Sequence, residues 1–179
     1  MQTLQIGNLI IGLVFSLCCA YQLLYLLMPL VKKDRPLPPS EGEHEFAVLI
    51  CARNEEKVIG SLLESLRRQT YPREKLHVFV MADNCTDSTE AAARAGGARV
   101  YTRRDKAHVG KGYALEALLD CLRADYPQGF DGYFVFDADN LLEADYIEQM
   151  DRSFSSGEEI VTGYRNSVNY DSSWVSAGS

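Results

Sequence analysis

The sequence predicts an α/β protein: a mostly parallel sheet with helices on both faces, preceded by one transmembrane helix. Three observations predict it. Short continuous apolar runs alternate with amphipathic segments along most of the chain. All 18 basic and 25 acidic residues lie beyond Val31, so the first 31 positions are suited to a different solvent from the rest. The length of 179 residues fits one folded domain, and 46% hydrophobic with 24% charged residues is ordinary globular usage. Three spans result: residues 1–31 as a transmembrane anchor, 32–45 as a linker, and 46–179 as the folded part.

The anchor is read from residues 4–31, whose strongly polar members are only Gln5, Asn8, Ser16 and Gln22. A helix of that length reaches about 42 Å, more than the ~30 Å hydrocarbon core. The run is too long for a cleaved signal peptide and has no basic start, so a retained anchor is expected. Tyr21 and Tyr25 suit an interfacial belt or packing against another helix. Lys32, Lys33 and Arg35 follow directly, which places the C-terminal side in the cytoplasm by the positive-inside rule. The expected location is therefore the cell membrane, single-pass, with the soluble part cytoplasmic. Pro36, Pro38 and Pro39 make the next stretch stiff and extended.

Residues 46–51 (FAVLIC) form the first buried strand, and 56–69 a helix carrying Val58, Ile59, Leu62, Leu63 and Leu66 at helical spacing. Residues 77–82 (HVFVMA) form the second strand, and 87–95 an Ala-rich helix stopped by Gly96 and Gly97. A third strand is expected at 99–102, and a helix at 112–124 with Leu115, Leu118, Leu119 and Leu122 on one face. A fourth strand at 133–136, a helix at 143–154 and a fifth strand at 160–164 complete the series. Repeated strand and helix units in this order give right-handed crossovers and a parallel sheet.

Ligands of such sheets bind beyond the carboxyl ends of the strands, and those ends are polar here. Strand one runs into Arg53, Asn54 and Glu55, strand two into Asp83 to Asp87, and strand four into Asp137, Ala138, Asp139 and Asn140. In an extended segment Asp137 and Asp139 project to one side, and two hard oxygen ligands suit Mg2+ or Mn2+. A lone pair of this kind also serves turns and caps; a second acidic edge at Asp83 is what raises it. Asp83 suits a hydrogen bond from a base ring or ribose, with capping of the next helix as the structural alternative. Residues 103–112 form the dense basic patch, where Lys111 between Gly110 and Gly112 opens a helix and suits an anion. His108 is read as a loop histidine.

Several classes are excluded. A net charge of -7 argues against nucleic acid held by an overall field. Cys18, Cys19, Cys51, Cys85 and Cys121 show neither CxxC spacing nor an even framework, which disfavours a disulfide scaffold or zinc cluster. GxxxxGK[ST], GxGxxG and GxSxG are absent, which weakens kinase, dinucleotide and serine-hydrolase readings.

Taken together, AVLICARNEEKVIGSLLESLRRQTYP, VFVMADNCTDSTEAAARAGGARV, GKGYALEALL and YFVFDADNLLEADYI resemble the donor-binding half of family 2 glycosyltransferases of the GT-A fold. The likeness is greatest to membrane-associated bacterial members that build exopolysaccharides, and it covers about residues 46–175. The resemblance implies that Cys51, Arg53 and Glu55 line a nucleotide-sugar, that Asp83 contacts uracil or another base, and that Lys111 lies near the diphosphate. Asp139 would be the direct metal ligand, with Asp137 nearer the ribose or the metal shell. The implied reaction is inverting transfer from a nucleotide-sugar, expected to be a UDP-sugar, to a saccharide or lipid-linked acceptor.

The sequence departs from the family pattern after the fifth expected strand. The family's acidic base motif and QxxRW do not appear. Glu143, Asp145, Glu148, Asp151, Glu158, Glu159 and Asp171 read as caps, a solvated helix face and a turn. The base is thus expected beyond residue 179, and the chain reads as a donor-binding part. The alternatives are an inactive nucleotide-sugar-binding remnant or regulatory partner and, less favoured, a sugar nucleotidyltransferase, which would need a glycine-rich loop after strand one.

Overall fold

The computed structural model describes residues 2–31 and 36–163. The chain divides into two units after Leu37. The first contains helix α1 (Gln2–Val31), uncharged throughout, and within it Gln5–Gln22 is long and apolar enough to cross a membrane.

The second unit is a four-stranded parallel sheet in the order β3-β2-β1-β4. The strands are β1 (Phe46–Ala52), β2 (Leu76–Asp83), β3 (Arg99–Arg103) and β4 (Gly132–Asp137). β1 is central, and its seven residues carry no charge, because a strand flanked on both sides and covered on both faces meets no water. Alternate residues then serve opposite layers. Val48, Ile50 and Val80 pack with Ile59, Leu62 and Leu66 of α2 (Ile59–Arg67), Ala93 of α3 (Thr89–Ala95) and Ile147 of α5 (Tyr146–Ser155). Ala47, Leu49, Phe79 and Met81 point the other way, onto Ala114, Leu118 and Leu122 of α4 (Lys111–Asp125). Gly96 lets α3 end directly against α2, since a Cβ there would lie 2.4 Å from Leu63 Cδ1.

The α/β class and the helices on both faces are therefore as expected, but three local readings change. No strand forms at 160–163: these residues are irregular, and Ile160 is 88% exposed. β-branched side chains do not make a strand without a neighbour to complete the ladder; Tyr164 lies outside the described residues, as does Asp171. Asp151, expected on a solvated helix face, is fully buried. Its carboxylate accepts from Ser40 Oγ (2.5 Å) and Tyr71 Oη (3.5 Å) and meets His44 Nδ1 at 2.8 Å. As a result, the segment read as a linker forms no regular element from 36 to 45, yet it is fastened to α5 from Ser40 onward. His44 adds an edge-to-face contact with Phe154 at 4.9 Å, and its carbonyl accepts from Tyr71 Oη at 2.9 Å. The third change, at Asp137 and Asp139, belongs to the site.

Candidate functional site

The parallel register decides which strand-end side chains share a face. Cys51 lies opposite Met81 on β2 and Asp137 on β4, and Asp83 lies opposite Arg103 on β3. Since Met81 and Asp83 are two residues apart, Cys51, Asp83, Arg103 and Asp137 all project toward the α4 side of the sheet. Lys111, the first residue of α4, arrives on that side and its ammonium contacts Asp137. Gly110, with φ of 144°, makes this entry possible, because a backbone there is open to glycine and costly for other residues.

Cys51 sits at the centre of the group. Burial pushes its thiol up to about 11 against the pull of Lys111, and Asp83 and Asp137 add to the rise. A thiol so held is neutral at physiological pH, so Cys51 is an uncharged part of this face and no nucleophile.

Asp83 and Arg103 form a nearly dry ion pair, their side chains 6% and 13% exposed, with Arg103 Nη1 donating to Asp83 Oδ1 at 2.8 Å. Asn84 Nδ2 donates to the same oxygen at 3.0 Å and to the Asp105 carbonyl at 2.9 Å. Arg103 Nη2 reaches Asp105 Oδ2 (2.9 Å) and the His108 carbonyl (2.8 Å). Asp105 in turn accepts from the Ala107 and His108 amides and meets His108 Nδ1 at 3.0 Å, the first of several contacts that hold its carboxyl down at about 2. The basic patch is thus an organised loop, with Arg103 turned inward.

The loops after β1 and β2 are joined to each other. Asn54 and Asn84 both adopt left-handed backbone (φ 58° and 53°), which asparagine tolerates better than most residues. Asn54 Oδ1 accepts the Thr86 amide at 2.8 Å, the Glu55 amide donates to Thr89 Oγ1 at 2.8 Å, and Asp87 Oδ2 accepts the Glu56 amide at 3.2 Å. Arg53 is exposed beside them, with Glu55 half-buried.

At β4 the reading of a single extended segment is corrected. The strand ends at Asp137, and residues 138–139 form a turn closed by Asn140, whose side chain accepts the Asp137 amide at 3.0 Å. Ala138 is buried in the α2 layer, whereas Asp137 is half exposed and Asp139 exposed, so both carboxylates still face outward. Among the described residues no three His, Cys, Asp or Glu side chains are grouped to hold a metal by themselves.

The structure therefore brings Cys51, Asp83, Lys111 and Asp137 to one face of one edge, with Asp139 on the adjoining turn and Arg53 and Glu55 in the loop after β1. The residues that sequence reasoning passed over are Arg103 and Asn84. The signal for Arg103 was its position one residue beyond the expected end of the third strand.

Comparison with known proteins bears on the family and the fold. A family model described as "Glycosyltransferase like family 2" matches residues 44–179. The beta-monoglucosyldiacylglycerol synthase of Nostoc sp. is 31% identical over 106 residues, covering 56% of this chain and 21% of the relative. The 4,4'-diaponeurosporenoate glycosyltransferase of Staphylococcus aureus is 47% identical over 68 residues, covering 38% and 17%. The chain thus spans about a fifth of the length of these curated relatives. Among solved structures, the mannosyltransferase PcManGT from Pyrobaculum calidifontis, in complex with GDP-Man and Mn2+, superposes with a TM-score of 0.57 at 24% identity, over 80% of this chain and 42% of that one. S. aureus TarS 1-349 in complex with UDP gives 0.51 at 23% identity, over 63% and 32%. At these identities the likeness is one of fold, and the GT-A architecture expected from the motifs is the one observed. With a family model matching from the strap before β1 to the last residue, this chain belongs to glycosyltransferase family 2.

Proposed function

We propose that residues 46–163 hold the nucleotide-sugar donor of an inverting glycosyltransferase, and that α1 anchors this part at the cytoplasmic side of the cell membrane. The observation that carries the reading is the register, which sets two acidic strand ends, a lysine at a helix start and a neutral thiol on one face of one edge. Asp83 accepts from the base, with uracil preferred. Arg53 and Glu55 border the nucleotide, and Lys111 leaves Asp137 for the diphosphate. UDP in the TarS complex and GDP-Man in the mannosyltransferase complex support a nucleotide-sugar in general terms.

Asp137 and Asp139 fit a divalent cation. They are hard oxygen donors on an open turn, and since among the described residues no group of three such side chains forms there, the remaining ligands would come from phosphate and water, which is how Mg2+ and Mn2+ are usually held. Such an ion would offset the charge of a diphosphate leaving group. Lys111 adds a second positive charge at the same place. In inverting transfer the acceptor hydroxyl attacks the anomeric carbon, the diphosphate departs with the bonding electrons, and a carboxylate base takes the hydroxyl proton. No residue described here is assigned that base: Asp151 is occupied by the strap, and Glu148 accepts from Thr70 Oγ1 at 2.7 Å. The acceptor is a saccharide or a lipid-linked molecule of the cell surface, and the diacylglycerol in the name of one relative supports the lipid choice.

The test is calorimetry of the full chain in detergent with UDP, in Mn2+ and in EDTA. Saturable binding that disappears in EDTA is expected, since the carboxylates and the diphosphate otherwise repel. Equal affinity in both buffers would refute the metal assignment, and no binding of UDP or GDP in either would refute the donor site.

A further inference from the structure

We propose that Arg103 is a positioning residue that couples recognition of the base to binding of the diphosphate. The inference rests on the donor-site reading above and adds a residue and a linkage to it.

Arg103 is the last residue of β3 and is held between two things the donor would touch. On one side its Nη1 fixes Asp83 from across the sheet at 2.8 Å. On the other its Nη2 fixes both Asp105 and the carbonyl of His108, three residues before Lys111. A guanidinium suits this task because its donors lie in one rigid plane, so the position of one bond constrains the other. Asn84 closes the circuit: its amide donates to the Arg103 carbonyl at 2.8 Å, and its side chain bridges Asp83 and the Asp105 carbonyl.

The arrangement also limits what Asp83 accepts. Arg103 and Asn84 both bond to Oδ1, which leaves Oδ2 as the oxygen to meet a base. An ionised carboxylate only accepts, so it selects a base that presents a ring N–H, such as uracil or guanine. A base with a ring acceptor in that place, such as cytosine or adenine, is rejected. Because the same guanidinium holds the loop leading to Lys111, a donor that engages Asp83 meets the start of α4 already in place.

Titration of UDP, CDP and UMP against the full chain in detergent with Mn2+ separates the two arms. The UDP to CDP ratio reports the base, and the UDP to UMP ratio reports the diphosphate. Arg103→Gln should weaken UDP by about tenfold or more, the scale of a lost charged hydrogen bond, and reduce both ratios together. Asp83→Asn should reduce only the first ratio and Asp105→Ala only the second. Arg103→Lys, which keeps the charge and loses the fork, should restore the base ratio but not the diphosphate ratio. If Arg103→Gln folds and keeps both ratios, or loses affinity for all three nucleotides by one common factor, the coupling is absent. Should that variant not fold, an unchanged UDP to UMP ratio in Asp105→Ala overturns the proposal on its own. A failure of the donor-site reading looks different: the wild-type chain binds no UDP, or Asp83→Asn leaves the base ratio untouched.

Discussion

Replacing Lys111 with methionine keeps the aliphatic stem and removes the charge, which separates a structural role from a ligand-binding one. Lys111 is paired with Asp137, and the two side chains are 47% and 44% exposed. A pair so open to water contributes about 0–1 kcal/mol to stability, so Lys111→Met should lower Tm by no more than a few degrees. Against a diphosphate the same ammonium makes a charge-assisted contact of about 1.5–3 kcal/mol, which corresponds to about a 10- to 150-fold rise in Kd. The expected pattern is therefore a near-unchanged melting curve with a large loss of UDP affinity, and a much smaller loss for UMP. Thermal denaturation and calorimetry on one preparation, in Mn2+ at fixed ionic strength, measure both. If UDP binds within about threefold of wild type, or if UMP suffers as much as UDP, Lys111 does not serve the diphosphate and its contact with Asp137 is only a surface ion pair.

Four further outcomes are expected. Asp139→Asn should remove the Mn2+-dependent part of UDP binding without shifting Tm, because Asp139 is exposed beyond the strand; a Tm that falls with the affinity would make it structural. Asp151→Ala removes the buried acceptor that Ser40 and His44 share and should cost about 3 kcal/mol in urea denaturation while leaving the Kd for UDP unchanged. Leu118→Ala, at the centre of the α4 layer with no exposure, should cost about 2–5 kcal/mol in the same assay. Cys51 carries a pH signature: its thiol is raised in the folded state, so the stability it confers is complete below the ordinary thiol value and is lost as pH rises through about 11. Alkylation mapped by mass spectrometry should find Cys51 unreactive at pH 8 and increasingly reactive toward pH 11; modification at pH 8 as fast as for a free thiol would contradict this.

Much of the sheet was legible because buried parallel strands must be continuously apolar. The strands expected at 46–51, 77–82, 99–102 and 133–136 each lie inside a strand of the structure. Yet every strand continues one residue past its expected end, to Ala52, Asp83, Arg103 and Asp137. The ladder joins backbones and is indifferent to side-chain polarity, so hydropathy ends a strand one residue early. Those extra residues include three that build the site. The one-residue shift at β3 is why Arg103 looked like part of an exposed basic patch, when the register sets it across from Asp83. At α2 the start moved the other way: the helix begins at Ile59 because the residues before it are committed to the turn at Glu55 and to Asp87. The partners of Asp151 were not readable at all, since Ser40 and His44 are more than a hundred positions away and no periodicity links them.

The central position of β1 also has a consequence for how the chain acquires its shape in time. Phe46 pairs with Leu76, thirty positions on, and with Gly132, eighty-six positions on. Closing the longer loop costs more entropy and waits on synthesis, so β1, β2 and β3 with their helices are able to assemble before β4 docks. Asp137 is carried in by that final pairing, opposite Cys51. A nascent chain stalled before that pairing therefore holds Asp83, Arg103 and Lys111 without the acidic end of β4, and the face is complete only when the sheet is.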